Sequence, residues 1–286
     1  MLKRIALLLA IAPAALAQDR KVDPTWLYRD LSALHQHPTD QSTDSCHYTP
    51  IFGEGDAQSQ SPKSVTRFGE LTVDPNGTCQ PIEYPRQEEL YFVRAGTGVL
   101  HYADESHPVR QDDFTYVPPT VRHSISNPSN HPLRLLLTTV KIPADAPISP
   151  PAKLVVANLD ELKEQTVGGH PKSVLYKLLI GPRTATRDRI NATYTVADFF
   201  LMDFAPDGTN FPHHHETAEE IYLVLDGEGK MAAGAGMDGV EGLHPAKPGD
   251  AYYFRPNCTV GFYNQPGAKA HILAVRVFVP MPKNPD

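Results

Sequence analysis

The chain has 286 residues, 41% hydrophobic and 21% charged, with 28 Pro, 19 Gly and 3 Cys. That composition excludes a collagen-like, disordered or cysteine-stapled protein and leaves an ordinary globular one, long enough for one large domain or two of about 100–150 residues. The formal charge of −7 comes without any Lys/Arg-rich run, which argues against nucleic acid and against an anionic membrane surface as partners.

In chain order, the first segment reads as a processing signal. Lys3 and Arg4 precede an apolar run, Ile5 to Ala12, and Ala15-Leu16-Ala17 fits a small-x-small cleavage site. The run is too short to span a bilayer, and no later segment reaches the required length. Residues 1–17 are therefore expected to be a signal peptide cut near Ala17, and the mature chain to be exported, periplasmic or secreted. Residues 18–64 read as an N-terminal strap with a helical pattern near Pro24–Leu34; it carries Trp26, His35, His37 and His47. Export permits disulfides. Cys46 with Cys79, leaving Cys258 over, is one arrangement and three buried thiols is another; the sequence does not choose between them.

An internal repeat organises the rest. Residues 88–98, EELYFVRAGTG, and 219–229, EEIYLVLDGEG, are identical at six of eleven positions. A second pair of windows, 110–127 and 247–264, aligns without gaps, and the Gly/Ala-rich stretch Met231–Gly242 is the place for extra length in the second copy. Leu90–Val93 and Ile221–Leu225 are β-favouring runs ended by Gly-containing turns. Short strands follow at Phe114–Val117, Leu133–Val140, Ala251–Phe254 and Ala270–Val279, with Pro, Gly, Asn and Asp between them. Evenly spaced short strands of this kind predict antiparallel sandwiches or barrels. The proline-rich stretch Ile142–Pro151 reads as the connection between copies, and a helical pattern recurs around Leu159–Thr166.

These residues carry a resemblance. The second copy has Gly208, His213-His214-His215, Glu220 and Gly227, then Gly249-Asp250, Pro256 and Asn264; the first has Glu89, Gly96, Asp112-Asp113, Pro118-Pro119, His123 and Asn127. The chain resembles a bicupin, two copies of the cupin domain. The resemblance implies an all-β fold of two antiparallel jelly-roll barrels with short helices. It divides the chain into a first cupin domain at 65–141, a linker with a short helix at 142–188, a second cupin domain at 189–280 and a tail at 281–286. It also implies a homodimer paired through sheet edges.

The second copy holds the expected metal site. In an extended chain His213 and His215 face one way and His214 the other. A carboxylate from the next strand completes a facial set, and Glu220 rather than Glu219 has the family spacing to Gly227. Two imidazoles and a carboxylate leave positions open and suit one divalent ion, Fe(II) or Mn(II) first and Zn(II) as a further candidate. The family's fourth ligand, a second-motif His, is replaced by Val260; His271 is a candidate substitute, as are Cys258 and water. In the first copy Ile82 and Tyr84 stand where the histidines would be. Glu89 and His123 remain as a degenerate pair expected to bond each other in a metal-free barrel.

The pocket is expected to use Phe211, Tyr222, Tyr253 and Phe262, with Val224 and Leu273 as further candidates, whereas Arg276 is placed on the outside. No nucleophile elbow, phosphate loop, H-E-x-x-H or C-x-x-C occurs. The resemblance and the open site point to a metal-dependent enzyme on a small organic substrate, most concretely an oxidoreductase of the dioxygenase type. A decarboxylase resembling the manganese enzymes that act on oxalate is the nearest alternative, and a non-enzymatic small-molecule-binding or storage-type bicupin is the other.

Overall fold

A computed structural model describes residues 24–149, 153–234 and 241–280. The expected signal peptide and the tail at 281–286 lie outside the described residues. The regular structure described is nearly all strand, and the strands pair antiparallel except Val174–Pro182 with Ile190–Thr193. Two short 3-10 turns, Leu31–Ala33 and Leu159–Glu161, are the helical elements among the described residues. The second opens on a capping box, in which Asn158 accepts from the first turn and Glu161 reaches back to the Asn158 N–H.

The two copies are built alike. The second places a seven-stranded sheet against a three-stranded one. From edge to edge the large sheet runs Trp26–Asp30, Asp250–Phe254, Ala218–Asp226, Ala270–Phe278, Val196–Phe204, Val174–Pro182 and Ile190–Thr193. The first copy has a six-stranded sheet in the same order, Val156–Asn158, Asp113–Val117, Gln87–Ala95, Leu133–Lys141, Val65–Val73 and Cys46–Gly53, again facing a three-stranded sheet. Each large sheet ends on a strand lent from outside its own repeat. Trp26–Asp30 pairs with Asp250–Phe254, and Val156–Asn158 pairs with Asp113–Val117.

These pairings revise the organisation read from sequence. The strap contributes strands to both barrels, since Cys46–Gly53 pairs with Val65–Val73. The segment 142–188 supplies Val156–Asn158 to the first barrel and Val174–Pro182 to the second. The helical pattern near Pro24–Leu34 resolves into the strand Trp26–Asp30 followed by one turn. A sheet edge offering five consecutive backbone partners outweighs a weak local preference.

Three cores follow from which way the strands face. One fills the first barrel, around Tyr48, Leu71, Tyr91, Leu135 and Leu137. Another fills the second, around Tyr222, Val224, Tyr252, Phe254, Ile272 and Ala274. The third lies between the large sheets, where Phe52, Phe68, Phe92 and Leu136 meet Phe199, Ile221, Leu223, Tyr253, Leu273 and Val275. Both faces of the central strands are therefore buried, which is why they read as unbroken apolar runs rather than alternating ones.

Two buried carboxylates tie the barrels together. Glu219 accepts from the backbone N–H groups of Lys63, Ser64 and Val65 at 2.8–2.9 Å and from the Tyr253 hydroxyl at 2.9 Å. Its counterpart in the repeat, Glu88, accepts from the N–H groups of Tyr194, Thr195 and Val196 and from the Tyr116 hydroxyl. Each glutamate thus caps the start of a strand in the opposite barrel. Cys46 and Cys79 form a disulfide, and Cys258 is a buried thiol directed at the Gly234 carbonyl.

Candidate metal centre

The segment carrying the histidines is pinned from both sides. His213 makes a two-way backbone bridge to Val260, and the Asn257 N–H donates to the His215 carbonyl at 2.8 Å. Asn210 anchors the approach, its amide oxygen accepting from Phe262 N–H and its NH₂ donating to the Tyr222 hydroxyl. Past the left-handed Phe211, His213 and His215 turn to one side and His214 is exposed. Glu220 projects from the neighbouring strand Ala218–Asp226 with the same inward parity as Tyr222 and Val224.

One ligand atom from each of His213, His215 and Glu220 lies within 4.8 Å of the others. Among the described residues this is the only such group of three or more. The imidazoles stand edge to face with centroids 5.0 Å apart, and His215 Nε2 lies 3.2 Å from Glu220 Oε2.

The protonation pattern suits metal binding. His213 Nδ1–H donates to the Phe211 carbonyl at 2.8 Å, which leaves the Nε2 lone pair free. Burial pushes the His213 pKa down, only partly offset by that carbonyl and by Glu220, so the ring is neutral at pH 7. Burial alone would push Glu220 up, but His215, Arg276 and His213 outweigh it, and the pKa falls below the ordinary value. Glu220 is therefore a carboxylate, and its buried Oε2 has the His215 ring 3.2 Å away as its neighbour but no well-aligned hydrogen bond. An ionised, buried oxygen beside two imidazoles is the expected environment of a cation ligand. The donor set fits a divalent ion with one adjustment. Arg276 Nη1 lies 3.2 Å from His215 Nδ1; donating there keeps the ring proton on Nε2, and coordination through Nε2 requires that contact to yield.

Around these residues lies a cavity of about 40 Å³. At ~10–15 Å³ per water on this measure, that is room for a ligand of a few heavy atoms. Tyr176, Leu178, Phe200 and Val167 supply its apolar wall, and His170 stacks edge to face on His213 at 5.0 Å. Its polar side is a three-residue ion cluster. Asp198, buried, binds Arg276 on one side and Arg187 on the other. Two further polar atoms on the wall, Tyr176 Oη and Arg276 Nε, are buried without partners.

The structure corrects several site expectations. Arg276 faces the cavity: in Ala270–Phe278 it is Ile272, Ala274 and Arg276 that turn into the barrel, while Leu273, Val275 and Val277 turn to the other barrel. Tyr253 turns outward by the same parity and caps the Glu219 clamp beside Phe52. Phe211 is 56% exposed on a left-handed backbone (φ 54°) and lies off the wall. Phe262 packs against Phe204 within the barrel core. His271 pairs with Asp203 and Asp226 and stays outside the ligand group. The position of the fourth ligand is filled by buried Val260.

Tyr222 lines the cavity. Asp198, Arg187, His170 and Tyr176 were not singled out. Asp198 and Arg276 had a signal in the sequence, each being a charge inside a mostly apolar strand.

In the first barrel Glu89 and His123 do bond each other, at 2.5 Å and almost fully buried. Thr139 and Tyr91 add donors to the carboxylate, Gln41 donates to Tyr91, and His123 Nδ1–H is held by the Val121 carbonyl. In the place of His215, Tyr84 joins Asp40 and Arg67. Strap residues thus complete the mouth of this barrel.

Comparison with known proteins agrees with this construction. A family model described as "Cupin domain" matches residues 69–139 and 200–276. An uncharacterized protein of Methanocaldococcus jannaschii is 37% identical over 49 residues, 17% of this chain and 39% of that protein. Among solved structures, a putative glyoxylate-induced protein from Pseudomonas aeruginosa superposes with a TM-score of 0.71 at 13% identity, covering 93% of this chain and 94% of the other. The oxalate decarboxylase of Lactobacillus farciminis, as its formate complex, superposes at 0.64 and 12% identity over 91% and 87%. With both of its repeats matched by the family model, the chain belongs to the cupin family and carries two cupin domains.

Proposed function

We propose that the chain is an exported, metal-dependent enzyme acting on a small carboxylic acid in the second barrel, most concretely an oxidoreductase of the dioxygenase type. The observation that carries this reading is the convergence of His213, His215 and Glu220 on one cavity that also holds two buried polar atoms without partners, Arg276 Nε and Tyr176 Oη. Native proteins rarely strand buried polar groups together in one place unless a ligand completes them.

His213, His215 and Glu220 would hold the ion, and the open facial arrangement would let it act as Lewis acid and as template for substrate and dioxygen. The protein's own residues do the rest. Arg276 and Arg187 present forked donors that match a carboxylate, and Asp198 fixes their planes. Burial pushes the Tyr176 hydroxyl above its ordinary pKa, so it stays protonated and donates a hydrogen bond to a bound oxygen. Leu178, Phe200 and Val167 keep water out. A cavity of about 40 Å³ admits an acid of a few heavy atoms and excludes a large aromatic substrate.

Decarboxylation without oxygen is a second reading, favoured by the likeness to oxalate decarboxylase. The Cys46–Cys79 disulfide supports export, because such bonds persist in oxidising compartments. No helix among the described residues is long and apolar enough to cross a membrane.

The test is to reconstitute the mature chain separately with Fe(II), Mn(II) and Zn(II) and offer two- to four-carbon acids. Oxygen uptake that stops in Glu220→Gln is expected. Carbon dioxide release under nitrogen would move the assignment to the decarboxylase, and neither signal with any metal would leave a binding protein.

A further inference from the structure

We propose a second ligand site, between the barrels, for an organic anion with a flat apolar body and a single carboxylate head. A cavity of about 390 Å³ lies there, within the range of roughly 300–1,000 Å³ common to small-molecule pockets and far larger than the space beside the histidines. Both barrels build it. Tyr102 and Tyr116 come from the first, and Arg183 and the strand Ile190–Thr193 from the second.

The wall is apolar where it is broad. Tyr102 and Tyr116 are buried, while Val155 is 40% exposed, an apolar side chain that its neighbours leave partly uncovered. The charges are all of one sign. Lys153, Arg183 and Arg189 line the cavity and no carboxylate does. Arg189 is engaged by Glu161 at 3.0 Å, but among the described residues neither Lys153 nor Arg183 has a carboxylate partner. On a chain of net charge −7, two unpaired cations at one aromatic hollow form a local field that selects an anion.

Arg183 is set for that role. Its guanidinium lies 3.7 Å over the Tyr194 ring, with Nη1 on the Ser149 hydroxyl at 3.3 Å. Stacking fixes the plane of the fork and leaves its other N–H edge for a carboxylate. The Tyr194 oxygen already accepts from the Ser149 N–H at 2.8 Å, so its own proton is available to an acceptor. An aromatic acid would satisfy both features, its ring on the tyrosines and its carboxylate between Lys153 and Arg183.

The experiment is calorimetric titration of the mature full-length chain with benzoate, with benzamide and inorganic phosphate as comparators. One saturable benzoate site is expected. Benzamide, which has the ring without the charge, should bind about tenfold more weakly, and so should phosphate, which has the charge without the ring. Arg183→Gln and Lys153→Gln should each weaken benzoate about five- to tenfold, whereas His213→Ala should leave it unchanged. Lys153 is exposed, so its variant stays informative if Arg183→Gln folds poorly. Absence of saturable benzoate binding, phosphate binding as tight as benzoate, full affinity in Lys153→Gln, or loss of binding in His213→Ala would each overturn the proposal. The last outcome would place the acid beside the histidines.

Discussion

Adjacent residues on the strand Ala218–Asp226 have opposite jobs. Glu219 reaches across to the other barrel and Glu220 points into its own, because strand side chains alternate. Family spacing picks Glu220 over Glu219, and Glu220 is the one that turns toward His213 and His215. Nothing comparable separated Arg276 from His271 or Tyr253 from Tyr222, since both faces of these strands are buried and the apolar pattern has no polar side to orient it. Inward parity had to come from the pairing register, in which Arg276 stands opposite Glu220.

Two residue-scale outcomes follow. Asp198 is the counter-ion of two guanidiniums, one of them mostly buried, so Asp198→Asn should destabilise the fold by about 2–3 kcal/mol in urea titration. Under the proposed activity it should also raise KM for the small acid more than it lowers kcat. His123 gives a pH signature. Burial opposes its charge but Glu89 outweighs that, and its folded pKa is raised above 6.5. Its stabilising contribution is therefore complete below about pH 6.5 and fades as pH climbs through the folded value. As pH rises above about 6.5 the wild type should lose stability that a His123→Gln variant does not lose, as read by denaturant midpoints.

At the scale of elements, strand positions were legible and strand partners were not. Tyr91 and Tyr222 sit in runs that any β-propensity reading finds. The strands Trp26–Asp30 and Val156–Asn158 are short, and their reason for existing is a distant sheet edge. Local sequence carries little of that information, so the strap and the connection read as helix and linker. The two glutamate clamps show how the lent elements are locked. Removing either carboxylate strands three N–H groups, two of them buried, and a tyrosine hydroxyl. Glu219→Ala and Glu88→Ala should each cost about 3–5 kcal/mol, measured as a lowered unfolding midpoint, with the disulfide intact in both.

The whole molecule pairs an open barrel with a filled one. In the second, His213, His215 and Glu220 face a cavity; in the first, Glu89 and His123 bond each other, with Tyr91, held by Gln41, against both. The Cys46–Cys79 bridge, spanning 33 residues, staples the filled barrel. Replacing both cysteines by serine should reduce stability by about 3–4 kcal/mol on loop-closure grounds. A single loop, 183–189, brings Arg183 and Arg189 to the inter-barrel cavity and Arg187 to the histidine cavity.

The most direct measurement is metal content of the purified mature chain beside its His213→Ala/His215→Ala variant, both checked for native circular dichroism. One divalent ion per wild-type chain, falling below about a tenth in the variant, is the predicted result. A wild type that retains no ion after reconstitution, or a variant that keeps its full complement, would contradict the account.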